Sequence, residues 1–181
     1  MPATQQALPA IGTHLPAHGG TLGAYFALPD GSLRALIYAG REHEFNGAWG
    51  LYGKDVADAR GIDGMASTVA MAVAGSDTAK AMRALTINGH NDWFIGSRVQ
   101  MILLSENVPE DFDKDALYLT STQYSAYFAW CQDFELGYSH TNGEDYEFRA
   151  VPLRCIQLQE LQPSALPGEA GIAAVAEASA A

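Results

Sequence analysis

The stretch Gln123–Ile156, QYSAYFAWCQDFELGYSHTNGEDYEFRAVPLRCI, limits the fold more than any other part of the chain. Seven aromatics (Tyr124, Tyr127, Phe128, Trp130, Phe134, Tyr138, Tyr146) fall within its first 24 residues, and Phe148 follows. Aromatic runs broken by Gly and Asn suit pleated strands and tight turns better than helices. Side chains alternate along a strand, so Trp130, Gln132 and Phe134 are expected on one face and Ala129, Cys131 and Asp133 on the other. Leu136-Gly137 and Asn142-Gly143 supply turn chemistry, and Glu147–Ile156 reads as a returning strand. The expectation is a core-building hairpin with a polar, aromatic-rich rim.

A chain of 181 residues makes one domain, or one domain with a tail, and can bury a core without staples. Ten basic against 21 acidic residues leave a formal charge of −11. Counterion displacement on nucleic acid needs a basic patch, and anionic membranes repel such a surface, so neither is an expected partner. The first twenty residues lack a basic n-region followed by an apolar h-region, so no secretory signal is expected. No window approaches the roughly 18 apolar residues that span a bilayer. If Cys131 and Cys155 lie on neighbouring strands, a disulfide can form. Without an export signal, two reduced, core-packed thiols are the expectation.

Taken in order, residues 1–18 are rich in Pro, Ala and Gln and read as an extended arm. Two short runs, Leu22–Ala27 and Leu33–Ala39, flank Leu28-Pro29-Asp30-Gly31, which is a hairpin signal. Gly19-Gly20 lacks the Lys-Ser/Thr of a phosphate-binding loop. Glu42, His43 and Glu44 have no second ligand pair at metal spacing and read as a solvated loop. Met65–Ala74 and Thr78–Leu85 are two Ala-rich apolar segments. Ser76 or Asp77 can cap the second, a short amphipathic helix with Ala79, Met82 and Leu85 (or Ala81 and Leu85) on one face. Ser97 is a plausible N-cap for a further helix with Val99, Ile102 and Leu103 on its face, ended by Pro109. Asp111, Asp113 and Asp115 open like a calcium loop, but Ala116 and Thr122 stand where Gly and Glu are needed, so a solvated acidic loop is expected. Residues 159–181, rich in Ala, Pro and Glu, read as a tail.

The order of several segments resembles the DUF1566 family, also described as the Lcl C-terminal domain after a collagen-like adhesin. The segments are GGTLGAYFALPDGSLRALIYAG, HNDWFIGSRVQMILL, YLTSTQYSAYFAWCQDFELGYS and FRAVPLRCI. Asn91-Asp92-Trp93-Phe94-Ile95-Gly96-Ser97-Arg98 stands where the family has Gly-Tyr-Ser-Asp-Trp-Arg-Leu-Pro before a helix. Leu119-Thr120-Ser121-Thr122 stands for its Trp-Ser-Ser-Thr, Ala129-Trp130 for its Ala-Trp strand, and Leu153-Arg154-Cys155-Ile156 for its last strand. The likeness covers residues 19–158. Phe94-Ile95-Gly96 and Leu119-Thr120 depart from the family pattern.

The resemblance implies an α+β, C-type-lectin-like fold, with two helices packed around a twisted, mostly antiparallel sheet. It implies a domain over 19–158 between the arm (1–18) and the tail (159–181). It further implies a non-enzymatic virion protein of a phage, made in the host cytoplasm, acting as a head or tail decoration or receptor-binding component. Its expected partners are other virion proteins, neighbouring copies of itself, and a host-surface glycan or protein. The alternative is a stand-alone carbohydrate-binding adhesin module of a bacterial surface protein.

Catalysis is not expected. The chain has no Gly-x-Ser-x-Gly elbow, no Cys-x-x-Cys and no Glu-Pro-Asn calcium-lectin signature, and no cofactor or metal is assigned. The candidate ligand-binding residues are Gln123, Tyr124, Tyr127, Tyr138, His140 and Asn142, because Tyr, His and Asn in turn-forming surroundings combine ring area with adaptable hydrogen bonds. Trp93, Phe128, Trp130 and Phe134 are expected in the core. Arg98, Arg149 and Arg154 are expected to pair with acids or carbonyls.

Overall fold

The computed structural model describes residues 7–161. Among these are ten strands, β1 (His14–Leu15), β2 (Gly20–Ala27), β3 (Leu33–Tyr38), β4 (Phe45–Ala48), β5 (Phe94–Ile95), β6 (Leu117–Ser125), β7 (Phe128–Asp133), β8 (Ser139–Gly143), β9 (Glu147–Ala150) and β10 (Pro152–Gln157). Three helices accompany them: α1 (Gly64–Ala74), α2 (Asp77–Arg83) and α3 (Arg98–Asn107). The strands form two five-stranded sheets, in the orders β1-β2-β3-β10-β5 and β4-β9-β6-β7-β8. Every pairing is antiparallel except β6 with β9. The α+β class is therefore as expected, while three helices and two sheets replace two helices and one sheet.

One bent ribbon joins the sheets. β3 pairs with β10 and β4 pairs with β9, so the chain passes between sheets at residues 39–44 on one side and at Val151 on the other. Glu147–Ile156, read as a single returning strand, is divided there. The β2–β3 hairpin forms where Leu28-Pro29-Asp30-Gly31 predicts it: Gly31 N donates to Leu28 O at 2.9 Å, and Asp30 accepts from Ser32 N at 2.8 Å.

Helices α2 and α3 begin at their predicted caps, and Asp63, not singled out in the sequence, caps α1. Asp63 accepts from the amides of Met65 and Ala66 at the start of α1, and Ser76 accepts from Ala79 N at the start of α2. Ser97 and Gln100 form a reciprocal capping box on α3. That box corrects the predicted face of α3. Gln100 must turn inward for its Oε1 to accept from Ser97 N at 2.9 Å, and this brings Met101, Leu104 and Ser105 inward with it. Val99, expected in the core, is exposed, and Ile102 and Leu103 are half-buried.

Three apolar clusters fill the molecule. Trp49, Met71, Met82, Trp93, Ile95 and Leu119 lie under α1 and α2. Phe94, Met101, Leu104, Phe112, Tyr118 and Phe134 lie around α3, where the Phe112 and Phe134 rings stack at 4.0 Å. On the other face of the first sheet, Leu22, Ala35, Ile37 and Ile156 are covered by Leu15, Tyr25, Leu158 and Leu161. Residues 7–18, read as part of an arm, run along this sheet. Gly12 N donates to Leu22 O at 2.8 Å, Tyr25 Oη donates to Pro9 O at 2.7 Å, and His14–Leu15 is the edge strand. The expectations for residues 1–6 and 162–181 fall outside the described residues.

Candidate ligand-binding surface

Three loops converge at one end of the second sheet. The tip of the β6–β7 hairpin is tied to the 49–56 loop by Gly53 N donating to Ala126 O at 2.6 Å. It is tied to the β8–β9 turn by Glu144 N donating to Tyr127 O at 3.1 Å, and Gly50 N donates to Glu144 O at 2.8 Å. Gly50 and Gly53 sit at φ of 80° and 85°, a region open to glycine at little cost, and so let the chain turn twice around Leu51-Tyr52.

A buried polar node locks the convergence. Gln123 is only 2% exposed. Its Nε2 donates to Lys54 O at 2.7 Å and to Glu144 Oε1 at 2.9 Å, while its Oε1 accepts from Val56 N at 2.8 Å. This corrects the expectation that Gln123 contacts a ligand, because both of its donors are engaged inside the protein. Glu144 is fully buried, and burial pushes its carboxyl up from the ordinary value. Its Oε2 and the buried Trp49 Nε1 have no hydrogen-bond partner among the described residues.

The node holds a set of aromatic rings at the surface. Tyr52, Tyr124, Tyr127, Phe128 and Tyr146 are all exposed. Tyr52 and Tyr127 meet edge to face at 5.2 Å between ring centroids, and Tyr124 meets Trp130 edge to face at 5.4 Å. The Arg98 guanidinium carbon lies 3.7 Å from the Trp130 ring centroid, in stacking range. Phe128 and Trp130 correct the expectation that both are core. β7 ends here at the sheet margin, so Phe128 is exposed and Trp130 is half-covered by Arg98. Trp93 and Phe134 are buried as expected.

The remaining candidates lie elsewhere. Tyr138 is exposed beyond the opposite end of β7, where Asp133 N donates to Tyr138 O. Five strand steps put that end about 17 Å from Phe128. Exposed His140 pairs with Cys131 in mid-strand, with its Nε2 3.8 Å from Asp133 Oδ2. Asn142 pairs with Ala129, one residue from Phe128, but is half-buried and donates to Cys131 Sγ at 3.2 Å. The structure thus brings Tyr124 and Tyr127 together with each other and separates them from Tyr138 and His140. Tyr52 was missed because nothing local distinguishes Leu51-Tyr52-Gly53 from an ordinary turn. Arg98 and Trp130 were singled out separately, but their stacking joins two elements distant in sequence.

A second polar cluster was read as solvated loops. The Glu44 side chain is 5% exposed, accepts from Tyr118 Oη at 3.2 Å and lies 3.4 Å from Arg149 Nη1. Arg149 also reaches Asp113 at 2.8 Å, and Tyr38 Oη donates to Asp111. Burial drives the Glu44 carboxyl and the Tyr118 phenol upward. This cluster fastens the 39–44 crossing to the 110–113 loop, so it explains these acids as structural. Arg154 forks onto Asp92, and Arg149 pairs with acids, as expected. Arg98 corrects the same expectation.

Cys131 lies in the second sheet and Cys155 in the first, and both are free. Burial raises both thiols, Cys155 to about 12, so neither is a thiolate at neutral pH. Among the described residues, no three His, Cys, Asp or Glu side chains are grouped to hold a metal, and no helix is long and apolar enough to cross a membrane. Compared with protein-family models and with curated proteins, the chain matches none of either.

Proposed function

We propose that this chain is a C-type-lectin-like binding protein whose ligand surface is the aromatic end of the second sheet, and that it serves on a phage particle as a head or tail component. The observation that carries the binding reading is the convergence of three loops on the Gln123–Glu144 node. Five exposed aromatic side chains are held there by backbone bonds rather than left to collapse inward. Exposed rings cost solvation free energy, and a fixed group of them marks a surface built for contact. Pre-ordered rings also lose little conformational entropy on binding. The particle setting is supported by the order of the segments that resemble the DUF1566 family. Partners in that setting are neighbouring copies, other virion proteins and a host-surface glycan or protein.

A glycan array probed with the intact chain and with a Tyr52→Ala/Tyr124→Ala/Tyr127→Ala variant tests the surface. Binding that disappears in a variant with unchanged circular dichroism supports it. A silent array, together with host-cell adsorption equal for both proteins, overturns it. Mass spectrometry of purified particles tests the setting, which is overturned if the chain is missing from infectious virions.

A further inference from the structure

Among the described arginines, Arg34 and Arg98 have side chains with neither an acid nor a carbonyl as partner, and of these two Arg98 stands at the aromatic end. Among the described residues, Arg60 pairs with Asp55, Arg149 with Asp113 and Glu44, and Arg154 with Asp92. Arg41 and Arg83 donate to the carbonyls of Asp111 and Trp93. Arg98 makes no such bond there, and its Nε is buried without a partner. Acids outnumber bases 21 to 10 in the chain, so scarcity of acids does not explain it. Its position is nevertheless fixed. Arg98 N donates to Thr122 Oγ1 at 2.9 Å, and the guanidinium lies on Trp130, against whose ring Tyr124 stands edge-on. Stacking occupies the face of a guanidinium, and with Nε buried the two Nη groups form the end that can meet a planar, bidentate acceptor.

We infer that Arg98, stacked on Trp130 beside the exposed ring of Tyr124, recognises the carboxylate of an acidic saccharide. The inference rests on reading the aromatic end as a ligand surface. One guanidinium matches the single charge and the two-oxygen fork of a carboxylate. A phosphate monoester carries nearly two charges and would call for a second cation beside Arg98. The exposed tyrosine rings offer flat apolar faces with phenol groups at their rims, which suit the C–H face and hydroxyls of a pyranose. The rest of the chain is acidic and repels anions at long range. That repulsion is screened beyond about 8 Å at physiological salt, whereas the contact at Arg98 is made at van der Waals distance.

The test is titration of the intact chain with sialyllactose against lactose, and with oligogalacturonate against the same oligomer whose carboxyls have been reduced to primary alcohols. The two pairs separate a sialic-acid source of the carboxylate from a uronic-acid source. Trp49 and Trp93 are fully buried, so tryptophan emission reports the half-exposed Trp130. At least one acidic member is expected to bind about tenfold or more tightly than its neutral counterpart and to perturb that emission. Arg98→Gln should remove the preference, so that acidic and neutral members bind alike. Arg98→Lys, which keeps the charge and loses the fork, should restore only part of it, and thermal unfolding of both variants checks that they are folded. Equal binding of acidic and neutral members, or a preference that survives Arg98→Gln, overturns the inference while leaving the aromatic surface standing. No binding of any sugar overturns both. Arg98-dependent binding of a poly-glutamate peptide at equal or higher affinity overturns the saccharide assignment.

Discussion

Gln123 shows how one side chain can hold a surface without taking part in it. Its amide connects β6 to the loop that carries Tyr52 and to the turn that carries Tyr146. Replacing it by Ala strands Val56 N and Lys54 O in a buried setting, at about 1–3 kcal/mol for each group. Gln123→Ala is therefore expected to lower stability by at least about 2 kcal/mol in urea unfolding. It should also loosen the Tyr52–Tyr127 pair, seen as faster amide exchange at Gly53 and Val56. Glu144 makes a separate prediction with a definite sign. Burial raises its carboxyl above the ordinary value of 4.5, so the folded state holds a proton that the unfolded state releases as pH rises past that value. Its contribution to stability is complete at low pH and declines from about pH 4.5 upward. Glu144→Gln cannot ionise. The stability of the wild type relative to this variant should fall between pH 4 and pH 7, measured by denaturant midpoints, and a flat difference would refute the assignment.

Among the elements, α1 and α3 meet at their first turns, and the cap of α3 is also part of the contact between them. Ser97 Oγ donates to Ile62 O at 2.7 Å while serving as the cap of α3. A Cβ on Gly64 would lie 2.7 Å from Ser97 N and 2.8 Å from Ile95 O, both backbone atoms with little room to move. Gly64→Ala is thus expected to lower the thermal midpoint even though Ala is the better helix former, and Ser97→Ala to cost about 1–2 kcal/mol. The Ser76 and Ser97 caps were legible because Ser at these positions bonds to backbone a few residues away, whereas the Asp63 cap of α1 was not singled out. The buried face of α3 was not legible. Val99, Ile102 and Leu103 satisfy a helical period as well as Met101 and Leu104 do, and only the inward turn of Gln100 and the sheet behind it decide between them. A Val99→Lys substitution should accordingly leave the midpoint within a degree or two.

At the scale of the molecule, the bent ribbon of β3–β4 against β9–β10 makes two sheets from what reads as one hairpin system, and it separates the two cysteines. Thermal unfolding with and without reductant should give the same midpoint. A drop under reductant would mean that Cys131 and Cys155 are bridged. The sequence by itself determined the α+β class, the β2–β3 turn, the starts of α2 and α3, the burial of Trp93 and Phe134, and the exposure of Tyr124, Tyr127, Tyr138 and His140. Each of these follows from period, cap or turn chemistry acting over a few residues. Tertiary structure alone decided that Gln123 lies inside, that Phe128 and Trp130 lie at the margin, and that Glu44 is enclosed. It also decided that Tyr52 and Arg98 join Tyr124 and Tyr127, while Tyr138 lies beyond the far end of β7 and His140 beside its middle. Those outcomes depend on which strand edges and loops meet across 20 to 100 residues of chain, and no local pattern of residues encodes such a meeting.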